Sequence, residues 1–152
     1  VFTELLGKII VDIEIGHDEE DNDAIYFLLN DKTKLKMYHQ QDCCESVSIK
    51  EIVGDINNLI GHPILEADES VKETRGDDEE SETWTFYKLS TIKGNVNISW
   101  YGTSNGYYSE SVNIAYEDFD MEDEILRLSK KLTEITNGDV ALAIKKYIIE
   151  NM

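Results

Sequence analysis

Two-residue alternation of apolar and polar side chains, repeated in short runs between turn residues, constrains this chain more than any other feature of it. Val96-Asn97-Ile98-Ser99-Trp100 alternates without a break, and so do Asp12–Ile15 and Lys34–His39. Successive residues of a strand point to opposite faces, so each run reads as a strand with one wet face and one buried face. Ala24–Leu29, Ile64–Asp68, Trp84–Leu89 and Ser111–Ala115 are further strand candidates by their β-branched and aromatic content. Turn chemistry separates them at Asn30–Thr33, at Lys93-Gly94-Asn95 and at Asn105-Gly106, where the Asn-Gly pair predicts a hairpin returning through Ser111–Ala115.

The period changes between Ser48 and Ile60. Ser48 with Glu51 fits a capping box, Ile49, Ile52, Val53, Ile56, Leu59 and Ile60 keep helical spacing, and Gly61 suits a left-handed cap. This predicts one central helix. Near the end of the chain, Asp120 is placed to cap a helix through Met121, Ile125, Leu128 and Leu132. Asn137-Gly138 breaks it, and Asp139 opens another through Val140, Ala143, Ile144, Tyr147 and Ile148. The expected fold is therefore α+β: a mainly antiparallel sheet, one central helix and a C-terminal helical hairpin. The expected division is a body over 1–116 and an appendage over 117–152, whose helices offer a dimer face.

Charge decides the partners. Fourteen basic residues face thirty-two acidic ones, a formal net charge of −18 on 152 residues. Such a surface repels phosphate backbones and anionic lipid and attracts basic protein grooves or cations, so direct nucleic-acid and membrane binding are excluded as first readings. The 41% apolar content is too high for a disordered chain. No apolar run reaches the roughly 20 residues of a membrane span. The sequence as given opens without a basic-then-apolar leader, and its two cysteines are neighbours, Cys43 and Cys44. Free thiols in a cytoplasmic protein are the expectation.

The densest chemistry is Tyr38-His39-Gln40-Gln41-Asp42-Cys43-Cys44-Glu45-Ser46. Zinc takes nitrogen and sulfur ligands, so His39, Cys43 and Cys44, with Asp42 or Glu45 adding oxygen, form a candidate metal site. The plainer and more frequent reading is that the cysteines are small buried residues and His39 makes an ordinary hydrogen bond. A cysteine nucleophile with His39 as base is weaker, because such partners normally meet through the fold. The chain has no phosphate loop, nucleophile elbow or paired helical histidines, so no catalytic residue is assigned and a non-enzyme is expected. The acidic run Asp18–Asp23 lacks the glycine and terminal glutamate of an EF-hand loop. Trp84, Phe86 and Trp100 read as core, while Tyr107 and Tyr108 sit near a loop tip.

The segments Phe2–Lys8, Tyr38–Val47, Ile52-Val53-Gly54-Asp55, Trp84–Tyr87 with Thr91–Gly94, and Trp100–Ser109 carry a resemblance. Together they resemble a small domain family of unknown function that is widespread in bacteriophages and prophages, over Phe2 to about Ala115. The resemblance implies a phage or mobile-element origin and no particular chemistry. With the charge, it leads to the expectation of an acidic phage protein inhibiting a host defence nuclease in the manner of an anti-CRISPR. The expected contacts are the acidic residues Asp18, Glu19, Glu20, Asp21, Asp77, Asp78, Glu79 and Glu80 and the loop aromatics Tyr107 and Tyr108. Two alternatives are a protein that sequesters a nucleotide signal and a metal-dependent enzyme at His39.

Overall fold

The structure, a computed structural model, describes residues 2–75, 80–118, 125, 126 and 129. The chain divides into two units, Val1–Glu117 and Asp118–Met152, and the described residues lie almost wholly in the first.

That unit is built from strands. β1 (Ile10–His17), β2 (Asp23–Leu29) and β3 (Thr33–Tyr38) form an antiparallel meander, and β8 (Asn113–Asp118) lies beside β3. β4 (Ser46–Val53), β5 (Glu66–Arg75), β6 (Ser81–Thr91) and β7 (Gly94–Ser104) make a second sheet in the order β4-β7-β6-β5, antiparallel throughout. Three hairpin-linked strands with a fourth reached by a long connection form a Greek key. Ile13, Ile25, Phe27, Leu35 and Met37 of the first sheet join Leu89, Val96, Ile98 and Trp100 of the second in one buried cluster. The Trp100 indole donates to the Met37 sulfur at 3.2 Å. Alternation thus supplies each sheet with one apolar face, and the two faces close on each other as a sandwich. Each large side chain buried there contributes about 1.5–3 kcal/mol.

Strand direction sorts the connections between two ends. The β1–β2 turn, the β3–β4 passage, the Arg75 and Ser81 termini of β5 and β6, and the β7–β8 passage gather at one end. The β2–β3 turn, the β4–β5 connection and the β6–β7 turn lie at the other. There Ile9 bridges Pro63 and Ile10 bridges Ile60, stitching the sheets together.

The expected central helix over Ser48–Ile60 is not formed, and the α+β assignment gives way to a mostly β fold. Residues 46–53 are strand β4, followed by a short 3-10 turn at Ile56–Leu59 that Asp55 caps through Asn57 N–H. The cause is a bulge. Ile49 pairs with Trp100 and Ile52 with Ile98, while the register slips between Ile49 and Glu51. One extra residue in the strand puts two inward isoleucines three apart, which imitates helical spacing. The Asn105-Gly106 hairpin also fails, because the chain after β7 crosses to the other sheet and becomes β8 beside β3. Trp84 and Phe86 face outward, with ring centroids 6.0 Å apart, and only Trp100 of the three expected core aromatics is in the core. The helical hairpin expected after Asp120, and the dimer face assigned to it, fall outside the described residues apart from Ile125, Leu126 and Ser129. Among the described residues there is no helical hairpin, and no helix is long and apolar enough to cross a membrane.

One glycine sets how closely the β7–β8 passage approaches the second sheet. A Cβ on Gly102 would lie 2.9 Å from Glu110 Cβ, 3.1 Å from its carbonyl oxygen and 3.1 Å from Val47 Cγ2. Gly102→Ala is expected to destabilise the fold by about 1–3 kcal/mol through overpacking, read as a lower urea midpoint at unchanged slope.

Candidate functional site

The end of the sandwich where the chain crosses between sheets collects most of the residues that carry chemistry. Its first part is the acidic turn between β1 and β2. Asp18 folds its carboxylate back to accept from the N–H groups of Glu20 (2.9 Å) and Asn22 (3.0 Å). Asp21 takes a left-handed φ of 61° to close the turn. Asp18 is therefore spent on the turn, and Glu19, Glu20 and Asp21 project their charges outward.

The second part is the passage from β3 to β4, organised by Glu45. Its side chain is fully buried and every acceptor direction of the carboxylate is used. Oε1 accepts from Cys43 N–H (2.8 Å) and Gln41 Nε2 (3.0 Å), and Oε2 accepts from Asp42 N–H (3.0 Å) and His39 Nε2 (3.0 Å). His39 faces a second acceptor on its other side, with Nδ1 2.6 Å from the Ser111 carbonyl oxygen. The ring thus bridges the Glu45 carboxylate on one side and the Ser111 carbonyl on the other. Burial alone would raise the Glu45 carboxyl. The N–H of Cys43, the His39 ring and further backbone donors outweigh it and hold the group down at about 2.

This arrangement decides how the expected metal ligands are placed. His39 and Glu45 are buried against each other, Asp42 is exposed and contributes its backbone N–H, and Cys43 and Cys44 are exposed rather than buried. Against the expectation of free thiols, the two cysteine sulfurs are bonded to one another. Zinc at His39 would require a ring nitrogen to leave Ser111 or Glu45. Among the described residues, no group of three or more His, Cys, Asp or Glu side chains converges as a metal cage does.

The third part is the β7–β8 passage. Tyr107 stands out at 83% exposure, edge-on to Tyr108 with ring centroids 5.1 Å apart. Tyr108 shares a shallow depression with Cys44, Glu80, Glu82 and Tyr101. Candidate residues from three distant stretches of sequence thus meet there. Asp77, Asp78 and Glu79 lie outside the described residues.

Sequence reasoning misses Glu110. This buried carboxylate lies on the inner face of the second sheet and accepts from Ser81 Oγ, Ser104 Oγ and Thr83 Oγ1, the last at 2.7 Å. Burial pushes its carboxyl up, but the hydroxyls of Ser104, Ser81 and Thr83, with Arg75 nearby, bring it below the usual range. The signal was present in β6, whose inward positions Ser81, Thr83, Thr85 and Tyr87 all carry hydroxyls.

Removing the Glu45 charge tests the clamp. Glu45→Gln replaces a buried acceptor of four hydrogen bonds by an amide that cannot accept them all, and is expected to cost about 3 kcal/mol. Because the carboxyl is depressed from 4.5 to about 2 on folding, its stabilisation is complete above the unfolded value and is lost as pH falls from 4.5 toward 2. Wild type should weaken over that window in acid titrations followed by circular dichroism, and Glu45→Gln should show a flatter acid limb.

No curated protein and no solved structure matches the chain. Residues 3–114 match a family described as a domain of unknown function, DUF7448. The match covers most of the β-sandwich, including the His39–Glu45 clamp and Glu110. The chain belongs to the DUF7448 family.

Proposed function

We propose that this chain is a non-enzymatic phage protein that occupies the basic, nucleic-acid-binding surface of a host defence nuclease as an acidic decoy. One observation carries the reading: exposed carboxylates from separate stretches of sequence share the crossing end of the sandwich. Glu19, Glu20 and Asp21 on the β1–β2 turn, Glu80 and Glu82 at the start of β6, and the aromatic pair Tyr107–Tyr108 all sit at the crossing end. The lysine ion pairs lie toward the opposite end: Lys8–Asp31 at 3.1 Å, Lys34–Glu117 at 4.0 Å and Lys88–Glu66 at 3.5 Å. Surface charges act over about 8 Å at physiological salt, so carboxylates must share an end to act together. Exposed aromatics beside them supply the apolar anchor that charge alone lacks. The catalytic alternative finds less support, since the His39 ring is committed at both nitrogens and the cysteine sulfurs to each other.

The experiment is competition. The chain should displace DNA from the open basic channel of an RNA-guided nuclease, with affinity falling as salt rises. Replacing Glu19, Glu20, Glu80 and Glu82 by Gln and Asp21 by Asn should slow association about tenfold and flatten the salt dependence, with the denaturation midpoint unchanged. Asp18 is left alone because it builds the turn. Inhibition by the neutralised variant equal to wild type would refute the decoy reading.

A further inference from the structure

The bond between Cys43 and Cys44 does not do what a structural disulfide does. A cross-link stabilises a fold by closing a loop of chain in the unfolded state, and neighbouring residues enclose no loop. Nor is the bond sealed in the interior. Both cysteines are exposed on the passage from β3 to β4, where a thiol in solution can reach them. Exposed disulfides are the labile ones, opened by exchange rather than kept for strength.

The bond is nevertheless tied into the fold on both sides. It closes a small ring that contains the Cys43–Cys44 peptide and so restricts the backbone there. The Cys43 N–H donates to Glu45 Oε1 at 2.8 Å, and the Cys43 carbonyl oxygen accepts from Gln41 Nε2 at 3.1 Å. Gln41 Nε2 also donates to the Glu45 carbonyl oxygen at 2.7 Å and to Glu45 Oε1 at 3.0 Å. Ring, glutamine and buried carboxylate thus form one unit. On the other side, Cys44 lines the depression that holds Glu80, Glu82, Tyr101 and Tyr108. The oxidation state of two exposed sulfurs therefore bears on a buried hydrogen-bond centre and on the surface at the crossing end.

We propose that Cys43 and Cys44 form a thiol–disulfide exchange site, whose opening by a dithiol reductant frees the β3–β4 passage from Glu45 and reshapes the depression beside Tyr108. A thiolate of the reductant attacks one cysteine sulfur, forms a mixed disulfide and releases the other cysteine as a thiolate, which takes a proton from water. The second thiolate of the reductant then displaces the remaining cysteine sulfur, which is protonated in turn, and the reductant leaves as its own disulfide. The protein gains the electron pair that the dithiol loses. In the open form the Cys43–Cys44 link regains backbone freedom, so the Cys43 N–H bonds Glu45 for a smaller share of the time. Exchange here needs no partner and does not rest on the decoy reading.

The test uses the full chain purified in air, with dithiothreitol as the dithiol and N-ethylmaleimide as the thiol probe. The native protein should take up no N-ethylmaleimide before reduction, and one at each cysteine after dithiothreitol treatment without denaturant. With nitrogen-15 labelling, opening should shift the Asp42 and Cys43 amide resonances and speed hydrogen exchange at the Cys43 N–H about tenfold. The Tyr108 ring protons should move with them, while Phe27 in the core stays in place. The double variant Cys43→Ser, Cys44→Ser should give the amide positions of the open form and be indifferent to dithiothreitol. Uptake of N-ethylmaleimide before any reduction would show free thiols and overturn the proposal, and so would a bond that opens only in denaturant. If the bond opens while the Asp42 and Cys43 amides and the Tyr108 ring stay where they were, the coupling to Glu45 and to the depression is refuted. A double variant with the amide positions of the closed form would refute it equally.

Discussion

A buried hydrogen-bonded pair joins the two places where the chain passes from one sheet to the other. His39 stands at the start of the β3–β4 passage and bonds Glu45 at its end, while its other nitrogen holds Ser111 in the β7–β8 passage. The Gln40 N–H, donating to Asn113 Oδ1 at 2.8 Å, joins the same two stretches beside it. Pairs of this kind add little net stability over an apolar substitute, yet breaking one partner is costly, because the other is left buried and unsatisfied. Among the described residues it is the one acid–base pair with both side chains buried. It therefore specifies geometry: given the clamp, the β7–β8 passage lies over Gly102 and delivers Glu110 to the hydroxyls of β6.

That delivery links the core to the candidate site. Strands whose inner positions are wholly apolar would continue the core to the end of the sandwich. β6 instead turns to Thr85, Thr83 and Ser81 as it approaches the crossing end, and Glu110 fills the space with a carboxylate that the hydroxyls of Thr83, Ser81 and Ser104 satisfy. The polar interior is thus a controlled continuation of the same face. Where Glu110 does not reach, β5 is left with inward-register carboxylates in solvent.

Local pattern made most strands legible, and long-range order was not. β1, β2, β3, β6 and β7 follow from alternation and turn residues, because those signals depend on neighbours in sequence. β4 was read as a helix because its bulge shifts Ile52 by one residue, and a bulge is created by the partner strand, which the sequence of β4 does not contain. The Asn105-Gly106 turn gave a correct bend and a wrong destination, since the clamp at Ser111 directs the chain to the other sheet. Within the site, His39 and Glu45 were identified as candidate ligands from composition, but their relation as donor and acceptor depends on Ser111, seventy-two residues from His39 in sequence. Glu110 goes unread for the same reason: its importance lies in which face of a sheet it packs against. Net charge announced an acidic surface and left its distribution open.

The separation of the two ends has a practical consequence. The β6–β7 turn lies at the end with no passage between sheets, and its Ile92 is 78% exposed. A reporter domain or affinity handle spliced between Ile92 and Lys93 would lengthen a loop whose closure entropy grows only logarithmically with length. A chain attached to a sensor chip through that handle would stand with its carboxylates facing the flow, every molecule in the same orientation.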